Sequence, residues 1–231
     1  MDHRVLGVIG ASGGLGVSTL AVALAVRASG LVGATVAVDG APGGGALDVT
    51  ACVEHLPGLR WADLAGAEGR IDGAALLLEL PADGPARVLA GRGSAPPDPV
   101  GRAAVSGLAG VCGLTVLDLG GSTWWAEVCT DLLLVVGSTA RQLADGVGVA
   151  DRLHDLGVPA ALVLRCSRGD ALSPEEVAGH LDLPLAGTMR DDPRVPADAD
   201  RGRPPGSRPS GALVGAVDAL LSAPTPEVVG R

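Results

Sequence analysis

Residues 10–20 read GASGGLGVSTL and follow the apolar run Val5-Leu6-Gly7-Val8-Ile9. A strand that passes through a glycine-rich turn into a helix start suits phosphate, because the free N–H groups and the positive end of the helix face the turn. Three readings of this turn compete. Gly10-Ala11-Ser12-Gly13-Gly14 fits the G-x-S-x-G nucleophile elbow. GASGGLG fits a dinucleotide-binding turn. Gly13 to Thr19 fits a P-loop in which Val17 stands where the lysine belongs.

Composition narrows the chemistry. The 231 residues suffice for one well-buried domain, and 47% are apolar, which suits a packed core. No run approaches the ~20 unbroken apolar residues that span a bilayer, so no direct membrane insertion is expected. The opening MDHRV leads straight into a strand rather than a secretory leader, so a cytoplasmic location is expected. A net charge of −9 argues against general affinity for nucleic acid or anionic lipid. All 17 basic residues are arginine, and tyrosine and phenylalanine are also missing. Cys52, Cys112, Cys129 and Cys166 are scattered, which suits buried reduced thiols. Cys52 and His55 form a C-x-x-H with no second ligand pair at a zinc spacing.

Apolar runs alternate with amphipathic stretches, the pattern of a mostly parallel sheet covered on both faces. Strands are predicted at 4–10, 34–39, 74–80, 86–91, 114–119, 131–137, 160–165 and 184–188, and helices at 16–29, 99–110, 139–156, 173–181 and 210–223. Ser173-Pro174-Glu175-Glu176 opens a helix with a capping serine, a first-position proline and acids at the positive end. Ala95 to Pro99 and Asp191 to Pro209 read as surface loops, the latter with Arg201, Arg203 and Arg208 as a small solvated basic patch. A single domain over 1–223 and a loose tail over 224–231 follow.

The elbow needs an oxyanion loop and several strands ahead of it, and only nine residues precede Gly10. The dinucleotide turn is locally good, with Asp39 placed to meet a ribose hydroxyl. It resembles the turn of short-chain dehydrogenases, but their tyrosine–lysine pair has no counterpart in this composition. A binding-only module stays open. The P-loop reading accounts for more of the chain: Gly16, Val17 and Ser18 fall at the last glycine, the lysine and the magnesium hydroxyl. Leu114-Thr115-Val116-Leu117-Asp118 then reads as a Walker B strand ending in its acid.

SGGLGVSTLAVALA at 12–25, VAVDGAPGGGALDV at 36–49, LPGLRWADL at 56–64, LTVLDLGG at 114–121 and LDLPLAGTMRDDPRV at 181–195 carry a family resemblance. Across roughly residues 4–222 the chain resembles the MinD/ParA ATPases, most closely their CpaE-like branch with its septum-site-determining proteins. The resemblance implies an α/β, three-layer P-loop NTPase fold with a mostly parallel sheet and helices on both faces. It also implies ATP or ADP with magnesium as ligand. The phosphate loop would comprise Ser12, Gly13, Gly14, Leu15, Gly16, Val17, Ser18 and Thr19, with Ser18, Asp39 and Asp118 at the metal if nucleotide binds. Members of that branch often carry a receiver-like domain ahead of the ATPase module, and this chain opens on the module.

The departures decide the functional expectation. The family's two P-loop lysines fall at Val17 and Ser12, and the acid of its first switch falls at Ala41. A charge-assisted hydrogen bond contributes roughly 1.5–3 kcal/mol, so losing the cradle lysine costs nucleotide affinity about 10- to 100-fold. Turnover suffers more, because the transferring phosphoryl group needs fixed cations aimed at it. Arg190 and Arg194 belong by analogy to the base pocket rather than the γ-phosphate. The expectation is therefore no catalytic residue, with nucleotide binding weak or absent. It is a positioning or scaffold role at a septum or a Tad-type pilus or secretion machine, with recruitment to pole or septum by protein partners and a possible homodimer. Trp124 and Trp125, two of three tryptophans, follow Asp118 in the second switch and are the expected partner surface. Trp61 is expected to pack in the core or in a loop. An atypical active ATPase and the dinucleotide module are the alternatives.

Overall fold

In a computed structural model, which describes residues 4–41, 46–91, 98–167 and 169–223, seven of the eight expected strands form. They are β1 (Val5–Gly10), β2 (Thr35–Asp39), β3 (Ala86–Leu89), β4 (Leu114–Asp118), β5 (Asp131–Gly137), β6 (Ala160–Cys166) and β7 (Leu185–Arg190). They build one sheet in the order β3-β2-β4-β1-β5-β6-β7, parallel at every pairing. Strand side chains alternate between faces: Val5 and Ile9 of β1 join one core, Leu6 and Val8 the other.

One face is covered by α1 (Val17–Val32), the short α2 (Leu47–Thr50) and α8 (Ala212–Ser222). The α1 helix is apolar nearly all round because it lies between sheet and α8. Arg27 grips Asp218 with two 2.8 Å hydrogen bonds, joining α1 to α8. The other face holds α3 (Gly73–Glu79), α4 (Asp98–Ala109), α5 (Ala140–Asp155) and α6 (Pro174–Leu181). Ser173 caps α6 reciprocally with Glu176, as its sequence predicts. No helix among the described residues is long and apolar enough to cross a membrane.

Two expectations are corrected. Residues 74–80 form helix α3, not a strand. The run AALLLEL lacks β-branched residues, Asp72 caps it by accepting from the Ala74 and Ala75 N–H groups, and Leu78 faces solvent. Gly73 makes the helix pair possible: a Cβ there would sit 1.8 Å from the Gly107 carbonyl oxygen of α4. The segment 191–209 contains α7 (Arg194–Ala199), and its basic patch is not simply solvated. Asp198, almost fully buried, accepts from Arg208 and lies 3.8 Å from Arg203, so the carboxylate gathers the chain into a compact turn. The helix expected from residue 99 forms as α4 and begins one residue earlier, at Asp98, inside the stretch read as loop. The tail over 224–231 lies outside the described residues.

Candidate functional site

The glycine turn sits at the carboxyl end of β1, where the chain order changes direction in the sheet and open α/β proteins bind ligands. Gly14 and Gly16 take φ of 78° and 84°, left-handed values that glycine accepts freely. Gly16 thereby starts α1 with no side-chain cap, leaving the first N–H groups of the helix for a ligand. Nothing lies within 4 Å of a Cβ placed on Gly13 or Gly14, so the loop rim is open. Ser12 Oγ is buried and has no hydrogen-bond partner among the described residues, which a phosphate oxygen would supply. No histidine among the described residues bonds to it, so the elbow's nucleophile is not assembled there.

Val17, expected at the lysine position, is buried. Its side chain belongs to the core beneath α1, and its Cγ2 lies 2.7 Å from where a Gly10 Cβ would be. Apolar packing thus occupies this position under the loop.

The two acids arrive together because β2 and β4 are neighbours: Asp39 and Asp118 are register partners, and Val8 of β1 pairs with Asp118. The Gly120 N–H donates to the Asp118 carboxylate at 2.9 Å, and the Ser18 hydroxyl beside it also favours the charged form. Burial nevertheless pushes this carboxyl above the ordinary aspartate range, and these neighbours only partly oppose it. Asp39 accepts from the Ala41 N–H at 3.2 Å. One hydroxyl and two carboxylates are hard oxygen donors of the kind magnesium takes. The residues therefore fit a phosphate and its metal ion, and lack the cation that would neutralise the phosphate. Of the first switch, Pro42 to Gly45 lie outside the described residues.

The second switch is clamped from two sides. Gly10 N–H donates to Gly120 O at 2.7 Å, and Leu119 N–H to Val8 O at 2.9 Å. Trp125 is 1% exposed, so the expected two-residue partner surface is corrected: Trp125 is core, and only Trp124, 51% exposed, faces outward. Trp125 donates from Nε1 to Asp98 Oδ1 at 2.9 Å and meets Trp61 edge-on with ring centroids 5.8 Å apart. Trp61 is core as expected, and its Nε1 donates 2.7 Å to the Asp39 carbonyl. The LPGLRWADL motif is thus a brace for the acid-bearing end of β2, held by Arg60 donating to the carbonyls of Val53, Leu56 and Gly58.

Sequence reasoning missed Arg165 and Asp191. Arg165 leaves the carboxyl end of β6, donates from Nη1 to Gly14 O at 3.3 Å and pairs through Nη2 with Asp191 beyond β7. The signal was present: one cation closing the apolar run Ala160-Ala161-Leu162-Val163-Leu164 marks the ligand end of a parallel strand. With Gly16, Thr19, Met189 and Pro193 this pair lines a cavity of about 530 Å³ beside the loop. Arg190 lines it too, whereas Arg194 is held by Asp192 at 3.1 Å. A second cavity of about 300 Å³ lies at the opposite, amino end of the sheet. The sulfhydryl groups take no part: all four are free, and burial pushes Cys112 up to about 11 and Cys129 up to about 12. No cluster of three or more His, Cys, Asp or Glu side chains suited to a metal ion occurs among the described residues.

The strand order is what the dinucleotide reading cannot accommodate, because there β2 lies directly beside β1. Here β4 separates them. A ParA-family ATPase from Chlorobium tepidum superposes with a TM-score of 0.82 at 18% identity over 96% of this chain and 100% of that one. The fold is that of the MinD and ParA ATPases. MinD of Pyrococcus horikoshii, complexed with Mg-ADP, gives 0.74 at 20% identity over 94% of this chain and 93% of its own. MinD in the MinC:MinD cell division complex of Aquifex aeolicus gives 0.76 at 17% over 99% and 98%. No protein-family model matches the chain. Two uncharacterized Mycobacterium tuberculosis proteins, from strains CDC 1551 / Oshkosh and ATCC 25618 / H37Rv, are each 34% identical over 208 residues. The match takes in 86% of this chain and 57% of each relative, so the chain spans little more than half their length. In this fold the glycine turn joins β1 to α1, and the neighbouring strand β4 ends in Asp118.

Proposed function

We propose that this protein keeps the shape of a MinD/ParA nucleotide site while having given up turnover. It serves as a positioning or scaffold component, at a septum or in a Tad-type pilus or secretion assembly of the CpaE-like kind. The observation that carries this reading is Val17: its side chain packs into the core against Gly10, and no lysine exists elsewhere to replace it. Loop amides, Ser12, Ser18, Asp39 and Asp118 would hold ATP or ADP with magnesium weakly. The bound metal would supply charge neutralisation at the phosphates, and Ser18 and Asp118 would orient it. Protein contacts do the work, with Trp124 on the partner face, as the MinC:MinD assembly illustrates for a protein of this fold. A homodimer, if formed, would not depend on ATP through a crossing lysine.

The second reading, turnover with a substitute cation, has one candidate in Arg165. Arg165 donates to the Gly14 carbonyl at 3.3 Å, so part of its donor capacity is spent on the loop backbone. Phosphate release from Mg-ATP by purified protein decides between them. The proposal expects no release above background; release that Asp118→Ala abolishes would establish the active ATPase.

A further inference from the structure

The cavity of about 300 Å³ at the amino end of the sheet shares no lining residue with the one beside the glycine loop. It lies where β6 and β7 begin. Ala160, Ala161 and Ala186 stand there in place of the leucines and valine further along β6, and such short side chains leave space below α8. Leu220 and Leu221, in the last turn of α8, close it from the other side. Leu220 leans onto β7, 3.3 Å from where a Gly187 Cβ would be. Protein interiors rarely hold a void larger than one water molecule, and this space has room for about ten. Its volume sits at the lower end of the range for small-molecule sites.

Among its described lining residues, Arg4 and Asp131 are the only polar side chains. Arg4 leads into β1 and Asp131 opens β5, so the parallel pairing of these strands brings the two together. Arg4 Nε donates to Asp131 Oδ2 at 3.4 Å. No described residue bonds the other four N–H groups of the guanidinium or the Oδ1 atom of Asp131. The pair is neutral as a whole and offers donors beside an acceptor. A cationic ligand head would meet Arg4, and an anionic one Asp131, each as a like charge at close range. We propose that this cavity binds an uncharged aliphatic molecule of medium length whose head both accepts and donates, a primary amide or an alcohol. The head oxygen accepts from the Arg4 Nη groups, its N–H or O–H donates to Asp131 Oδ1, and the hydrocarbon chain lies under α8. Apolar burial supplies the affinity, and the ion pair selects the head.

Calorimetric titration of the full chain with octanamide, octanoate and octylammonium tests this, on the wild type, Asp131→Asn, Arg4→Met and Ala186→Phe. The wild type is expected to bind octanamide on the order of tenfold tighter than either ion. Asp131→Asn should shift the preference toward octanoate and Arg4→Met toward octylammonium, opposite changes that a merely structural ion pair would not produce. Ala186 packs toward the α1–α8 core, so Ala186→Phe places a ring in the cavity. It should abolish binding of all three while melting no lower than the wild type; if it melts lower, the two charge variants decide. A preference that both charge variants leave unchanged would overturn the role of the pair. Equal binding of the three ligands, or binding retained by a folded Ala186→Phe, would overturn the site. No binding of any of them to the wild type would overturn the proposal outright.

Discussion

The two sides of the glycine loop have gone opposite ways. On the β2–β4 side apolar contacts dominate: Val17 lies against Gly10, Trp61 meets Trp125, and the acids are braced from beneath. On the β6–β7 side the ends of the strands present Arg165, Arg190 and Asp191 to an open cavity. The difference is local: an apolar valine packs beneath the loop on one side, while the cavity on the other keeps a charged wall. A motif scan scores the first region and is blind to the second.

The largest expected effect lies on the packed side. Trp61→Ala should cost about 3–5 kcal/mol of stability in denaturant unfolding, the usual range for an emptied aromatic core position. It also strips the Asp39 carbonyl of its indole donor. A loss under about 1 kcal/mol would mean that the brace is dispensable.

Val17→Lys asks whether the packed side can be reopened. The ammonium displaces a buried isopropyl group, so the ligand-free protein should lose about 1–3 kcal/mol, read from the same unfolding curves. Affinity for Mg-ADP should rise roughly tenfold or more through the restored charge-assisted bond. ATP turnover should remain absent because Ser12 and Ala41 are unchanged.

The acids on either side should respond to pH with opposite signs. Burial raises the Asp118 carboxyl, so the folded state holds its proton more tightly than the unfolded chain. That stability is full below the ordinary aspartate value and is lost as pH rises through the raised one. Asp118→Asn should accordingly raise the melting temperature at neutral pH, with the gain fading in acid. Arg208 first, with Arg203 and Arg201 adding to it, lowers the Asp198 carboxyl. Its contribution is full above the ordinary aspartate value and is lost as pH falls through the lowered one. Hydrogen exchange of residues 194–208 against pH checks this.

The smallest effect on stability should come from Trp124→Ala. The side chain is half exposed and outside the core, so unfolding should change by no more than about 0.5 kcal/mol. Cross-linking in the native host should recover a partner with the wild type and lose it with the variant.

Much of this architecture was readable from period and turn chemistry. Buried parallel strands are continuous apolar runs, and seven of them stood where hydropathy put them. The failures have physical causes. Residues 74–80 are apolar enough for either state, and the choice falls to the Asp72 cap and the Gly73–Gly107 approach. Helix α7 depends on Asp198 collecting arginines from later in the chain, a contact no local window contains. The loop glycines, Ser18, Asp39 and Asp118 were legible as a motif. Arg165 and Asp191 were not, because strand pairing brings together residues 26 apart that share no pattern. Trp125 and Trp124 are adjacent yet face opposite ways, a distinction that belongs to the turn after β4 and not to residue type.

The tryptophan pair has a practical corollary. With three tryptophans and no tyrosine, ultraviolet emission from this polypeptide comes from indoles alone. Two of them touch each other directly over the acid-bearing strand ends, and the third looks out to water. A shielded, blue-shifted component and a quencher-accessible, red-shifted one should thus be separable with iodide. The wild-type chain carries its own unlabelled optical gauge of whether a ligand disturbs the braced switch or a partner covers the outer face.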